Sequence, residues 1–341
     1  MAILRFNWQA FDATAGMKYV AGVAIVMALS TVFDFPWFAA GLSALLAWLT
    51  NLPGQARERV LGVLIYIVLA AALAILAHLL SGTYWPWLVA MLFVAFGGTF
   101  AMIRGMRGFM IGWCMICWLY CTPLVGSSDD IVRLLVAHLL GSGVVLALIA
   151  LPTLLTQTGL NKEADSTPAS ESAQKLDARF VFEYSLAVGV AMAVGLAMGD
   201  AWLSTDPTLI VNATLMIIFP SLSRTWVLAV DRIIGAMLGI IVEFYLGLYI
   251  QHELLEPVIW LVMSFFVLAM LNVNAGAVTF FFLVIFAASW GAQGYEVGNA
   301  IANERIFAEF MGVAIALIAV TVKNRLGTSA DTSSDSGDNT N

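Results

Sequence analysis

Long apolar stretches, separated by short polar segments, recur along nearly the whole chain. A helix that crosses the hydrocarbon core of a bilayer needs about 20 mostly apolar residues. Of the 341 residues, 61% are hydrophobic and 11% are charged, whereas soluble domains carry about 25% charged residues. The sequence therefore predicts an all-α integral membrane protein with about twelve transmembrane helices, of which the second, fifth, eighth and eleventh are short: 17–33, 37–51, 58–80, 85–103, 108–123, 131–156, 180–198, 207–221, 227–250, 255–272, 276–291 and 299–322.

Positive charge is distributed unevenly among the polar segments. With a cytoplasmic N-terminus, every lysine and arginine except Arg133 and Arg305 falls on the inner side, and Arg232 is counted with an inner loop. Cytoplasmic loops of membrane proteins carry an excess of Lys and Arg. This bias predicts that both termini face the cytoplasm.

Two polar stretches divide the chain into four parts. Residues 157–179 are rich in Ser and Ala and predict a flexible cytoplasmic linker. Residues 327–341 predict a disordered cytoplasmic tail. The linker separates a first six-helix half, residues 1–156, from a second six-helix half, residues 180–326.

The two halves carry matching residues at nearly constant spacing. The pairs are Pro36 and Pro207, 171 residues apart, Arg59 and Arg232, 173 apart, and Arg133 and Arg305, 172 apart. Because six is an even number of crossings, both halves enter the membrane from the same side. The spacing predicts two parallel six-helix repeats related by an axis along the membrane normal. The alternative is coincidence in an apolar sequence of low complexity.

Two phrases of the second half resemble a known family. The stretches VDRIIGAMLGIIVEFYLG and ANERIFAEFMGVAIALIAV are similar to the helix starts of the fusaric acid resistance and aromatic acid exporter group, the FUSC-like membrane proteins. The resemblance implies six helices per half and a place in the bacterial inner membrane. It also implies export of aromatic carboxylic acids or related toxic compounds, often with a periplasmic adaptor of the membrane fusion type.

The ninth predicted helix carries the strongest candidate for proton coupling. Arg232, Gly235, Gly239 and Glu243 lie on one face because they are three or four residues apart. A charge near the bilayer midplane costs at least about 2.5–3.5 kcal/mol, so Glu243 is predicted to carry a proton. The alternative is a glutamate that hydrogen-bonds a facing helix.

Further proton-coupling candidates are Glu309, His138 and Asp206. Histidine changes charge near neutral pH, although a packed, hydrogen-bonded ring is the common alternative. Asp206 is equally suited to capping a helix. Glu309 follows Arg305 by four residues and is therefore within reach of it.

Four residues are predicted to bind substrate: Arg133, Arg305, Asn212 and Gly239. A guanidinium matches a carboxylate with two hydrogen bonds, so the two outer arginines are candidates for attracting an anion. The alternative is a structural role through nearby acids, including Glu304 and Glu309.

Several classes of function are disfavoured by the sequence. No lysine follows a glycine, as an ATP-binding P-loop requires, and neither a metal nor another cofactor is expected. The sequence shows no pair of a nucleophile and a general base that would indicate an enzyme. The resulting prediction is a proton-driven exporter, and the alternatives are an accessory or assembly subunit and a channel. Expected partners are the lipid bilayer, a small anionic or aromatic substrate, a periplasmic adaptor and a second copy of the chain, but no nucleic acid.

Overall fold

A computed structural model describes most of the chain. The backbone is described for residues 6–33, 35–52, 55–80, 83–125, 131–155, 177–204, 208–219, 221–249, 255–271, 273–291 and 295–334. Within these ranges the side chains of the following residues lie outside the description: 120–125, 152–155, 243–244, 246–249, 255–256, 275, 283, 286–291, 295–302 and 326–334.

The described residues form α-helices and two short 3₁₀ helices, with no β-strand among them. The α-helices are α1 (Ala13–Phe33), α2 (Trp37–Leu49), α3 (Ala56–Leu80), α4 (Tyr84–Phe100), α5 (Met106–Val125), α6 (Ile131–Leu155), α7 (Ala178–Trp202), α8 (Leu209–Ile217), α9 (Leu222–Tyr249), α10 (Leu255–Ala269), α11 (Ala275–Gly291) and α12 (Tyr295–Ser334). Each predicted apolar segment overlaps one of these helices.

Length and hydropathy separate these helices into two groups. In the part of the chain that is described, seven are long and apolar enough to cross a membrane. They are α1, α3, α4 with its 3₁₀ extension, α6, α7, α9 and α12. The all-α class and the membrane character are thus confirmed, while twelve crossings stay a prediction.

Helices pack against each other both within and between the parts of the chain before and after the predicted linker. In the first half α6 packs on α2 and α3, and α3 also packs on α5. In the second half α12 packs on α8 and α9, and α9 also packs on α11. The two halves contact each other where α1 meets α10 and where α4 meets α7.

Small residues permit the closest helix crossing in the second half. A Cβ atom on Gly235 of α9 would lie 2.1 Å from the carbonyl oxygen of Gly276 in α11. Neither residue could carry a side chain there without moving the backbones apart. In lipid, where water does not drive helices together, such backbone approach is a major source of helix packing.

Two predicted boundaries differ from the structure. Arg232 does not belong to an inner loop, because α9 begins at Leu222 and Arg232 as a whole residue is 3% exposed. Helix α12 continues to Ser334 and so enters the stretch predicted as a disordered tail. The predicted linker lies outside the described residues up to position 176.

Candidate functional site

A buried ion pair joins α9 to α12. Arg232 donates hydrogen bonds from Nε to Oε2 of Glu309, at 2.8 Å, and from Nη2 to Oε1, at 2.7 Å. Both side chains are 4% exposed. A bidentate pair of this kind offsets the large cost of removing two charges from water. The polar centre of the second half is therefore ionic and formally neutral.

The surrounding helices hold both members of the pair in place. Glu309 lies three residues before Gly312, whose missing side chain leaves room for Ala213 of α8. Arg232 lies three residues before Gly235, which packs on α11. Each charged side chain is thus one turn from a tight helix crossing.

Helix geometry places Arg232 nearer than Glu243 to the middle of α9. The 28 residues of α9 extend over about 42 Å, with a middle between residues 235 and 236. Along the axis, Arg232 lies about 5 Å from that middle and Glu243 about 11 Å. The predicted position of Glu243 near the bilayer midplane stays a prediction.

A second pair of polar side chains lies beside Arg232. Asn274 donates from Nδ2 to Oδ2 of Asp231 at 3.5 Å, and its Oδ1 accepts from the backbone N–H of Ala277 at 2.9 Å. Asp231 and Asn274 are each 6% exposed. Asn274 therefore precedes α11, bonds its first turn and ties it to α9 at the level of the ion pair.

The first half has a polar centre of a different kind at His138. The ring lies 3.0 Å from the carbonyl oxygen of Ile67 through Nε2 and 2.6 Å from the Ser43 hydroxyl through Nδ1. A carbonyl only accepts, so Nε2 carries a hydrogen. In the neutral ring, Nδ1 then accepts from Ser43. His138 thus links α2, α3 and α6.

Aromatic side chains enclose the His138 ring. Its centroid lies 4.7 Å from that of Trp118 and 5.8 Å from that of Tyr66. Ser142 donates to the carbonyl oxygen of His138 at 2.6 Å, and His138 is fully buried. This candidate for proton coupling therefore lies in a packed, hydrogen-bonded junction.

The four predicted substrate residues occupy different environments. Arg133 is exposed on α6, whereas its sequence counterpart Arg305 is 3% exposed on α12. Asn212 is half-buried on α8, and its Oδ1 has no hydrogen-bond partner among the described residues. Gly239 is buried on α9, two turns after Arg232 and on the same face.

Two of the predicted proton-coupling residues fall outside the description. Asp206 lies outside the described residues, and so does the side chain of Glu243, although its backbone belongs to α9. Their proposed roles stay predictions.

Sequence reasoning missed the partnership of Arg232 with Glu309. Both residues were singled out, but Glu309 was matched with Arg305 because four residues separate them on one helix. The partner is instead 77 residues away. The available signal was the presence of opposite charges in two apolar helices, which shows that partners are needed without identifying them.

Comparison with known proteins finds a family match within the second half. Residues 185–319 match the family model described as fusaric acid resistance protein-like. This range includes α8 to α11 entirely and contains both Arg232 and Glu309. No curated protein and no solved structure matches the chain. The family match confirms the resemblance in the sequence and supports a membrane protein related to transport or resistance.

Proposed function

We propose, from the fusaric acid resistance-like character of residues 185–319, that the protein is a secondary transporter. It exports aromatic carboxylic acids or related toxic compounds across the bacterial inner membrane and uses the proton gradient. The observation that carries the proposal is the buried Arg232–Glu309 pair. Ionisable side chains within membrane helices are costly and commonly mark substrate or proton pathways.

The proposal includes twelve crossings in two parallel repeats. Equivalent helices pair in the two halves, since α2 with α6 corresponds to α8 with α12, and α3 with α5 corresponds to α9 with α11. The tightest points of the first correspondence also match: Gly141 packs on Ala40, and Gly312 on Ala213, with offsets of 171 and 173 residues. The same correspondence relates the two contacts between the halves. Helix α1 corresponds to α7 and α10 corresponds to α4, so the contact of α1 with α10 is the counterpart of the contact of α4 with α7.

The proposed orientation has both termini in the cytoplasm. Basic residues at several predicted inner helix ends support this orientation, among them Arg104, Arg107 and Arg224. With this orientation, a periplasmic adaptor would contact the opposite side of the protein. A second copy of the chain is a further proposed partner.

Glu243 is the proposed carrier of the coupled proton. It lies on the face of α9 that also carries Arg232 and Gly239. Glu309 is already held by two hydrogen bonds from Arg232. The proposal therefore gives the two carboxyl groups different roles: Glu243 carries the proton, and Glu309 orients the guanidinium of Arg232.

Transport by purified protein in liposomes tests the function. Labelled benzoate is supplied outside vesicles that have an acidic lumen, and protein-free vesicles measure passive permeation of the neutral acid. We expect saturable, gradient-dependent uptake by the inside-out fraction, and its loss in Glu243→Gln with substrate exchange retained. Flux equal to that of protein-free vesicles would favour an accessory subunit, and non-saturable flux would favour a channel.

A further inference from the structure

The Arg232 guanidinium has two edges that can each bind a carboxylate through two hydrogen bonds. Glu309 occupies the edge formed by Nε and Nη2. These bonds use two of the five N–H groups. For the remaining edge, formed by Nη1 and Nη2, the described side chains provide no acceptor.

The open edge belongs to a mostly buried side chain. Arg232 is 3% exposed, and neither Nη atom is among the buried side-chain atoms that have no hydrogen-bond partner, so the edge keeps a small accessible surface. Donors in a region of low dielectric lose free energy when they have no acceptor. A guanidinium fixed on one edge and open on the other is thus prepared for a second planar acceptor, and a carboxylate has the matching geometry.

We infer that the Nη1–Nη2 edge of Arg232 binds the carboxylate of a small organic acid. This inference rests on the proposed function and names the part of the protein that recognises the transported acid. Glu309 is a positioning residue, because it contacts the guanidinium rather than the substrate. Its two hydrogen bonds fix the plane of the guanidinium and leave the other edge facing the ligand.

The charge of the site changes with occupancy. Without ligand, Arg232 and Glu309 sum to zero, and with a bound carboxylate the site carries one net negative charge. A membrane potential that is negative inside favours outward movement of such a charge. Carboxylate binding at Arg232 is therefore compatible with export.

Paired ligands that differ only in the acidic group provide the test. Benzoate and benzamide have the same ring, but benzamide is neutral and presents one acceptor oxygen. We expect the full-length protein in nanodiscs to bind benzoate about 10- to 100-fold more tightly than benzamide, as measured by calorimetry. Arg232→Lys keeps a positive charge for Glu309 but removes the planar edge, and should abolish most of that preference.

Arg59→Lys is the matched control. Arg59 is the sequence counterpart of Arg232 in the first half, and its Nε donates to Oδ1 of Asn51 at 2.9 Å. It offers no buried ion pair, so its replacement should leave the benzoate preference within about twofold of the wild type. Loss of the preference in both variants would indicate a general charge effect and would overturn the assignment to Arg232.

A charge-neutral double variant covers the case in which Arg232→Lys fails to fold. Arg232→Gln combined with Glu309→Gln removes both charges together, so no unpaired charge stays buried. We expect this variant to fold and to lose the preference for benzoate. A wild-type preference in either variant would overturn the inference, even if benzoate transport in liposomes stands. Absence of benzoate flux in the wild type would instead overturn the proposed function.

Discussion

The polar centres of the two halves lie on corresponding helices but use different chemistry. His138 on α6 connects its half through hydrogen bonds to Ser43 and Ile67. Glu309 on α12 connects its half through an ion pair with Arg232. With the repeat offset of 172, Glu309 corresponds to position 137, directly before His138. One helix arrangement therefore supports a hydrogen-bonded junction in one half and a charged pair in the other.

This difference indicates how the halves divide their tasks. An uncharged, hydrogen-bonded junction such as that at His138 stabilises a bundle without attracting ions. A buried guanidinium–carboxylate pair contributes less net stability for its cost, because desolvation opposes the attraction, but it provides a charge that recognises an anion. We interpret the first half as the structural partner and the second half as the recognition half.

The largest expected effect comes from breaking the ion pair on one side. Glu309→Leu leaves Arg232 buried and unpaired, and we expect a loss of about 3–5 kcal/mol in stability. Thermal unfolding of the purified protein in detergent, followed by tryptophan fluorescence, measures the change. Arg232→Met combined with Glu309→Leu should recover most of it, and a double variant as unstable as Glu309→Leu would contradict this explanation.

The next effect concerns equivalent glycines in the two halves. Gly235→Ala would place a Cβ 2.1 Å from the backbone oxygen of Gly276, whereas Gly62→Ala would meet only Thr50 and Arg107 at 3.4 Å or more. We expect Gly235→Ala to cost about 1–3 kcal/mol through overpacking. Gly62→Ala should be neutral or stabilising by up to about 1 kcal/mol. Equal unfolding temperatures for the two variants would contradict the contrast.

Removal of the hydroxyl at the first polar centre has an expected effect of similar size. Ser43→Ala leaves Nδ1 of the buried His138 without its 2.6 Å partner. Loss of one buried hydrogen bond costs about 1–3 kcal/mol. Chemical unfolding compared with Thr31→Ala is the measurement, since Thr31 donates only to Ala28 within its own exposed helix turn. An equal loss in both variants would argue against the junction.

The smallest effect is expected for an ion pair near a helix end. Arg107 contacts Glu58 at 2.9 Å, with side-chain exposures of 25% and 52%. Surface pairs contribute about 0–1 kcal/mol because water and salt screen them. Glu58→Gln should therefore change stability far less than Glu309→Leu in the same thermal assay. A comparable loss of stability in both variants would show that burial does not determine how much these ion pairs contribute to stability.

The sequence by itself determined the class of fold and the approximate helix positions. Twenty-residue apolar segments have no stable alternative to helices in lipid, because every backbone N–H and C=O must be satisfied within the segment. Boundaries were less well determined at α9, where the polar residues Ser221, Ser223 and Arg224 concealed an early helix start.

The tertiary structure decided which polar residues became partners. Local spacing favoured Arg305 for Glu309, since four residues along a helix bring side chains together. Packing of α9 against α12 brought Arg232 to Glu309 instead. Likewise, Ser43 and His138 meet although 95 residues separate them. Sequence shows that a buried charge needs a partner, but only helix packing places the two groups within hydrogen-bond distance.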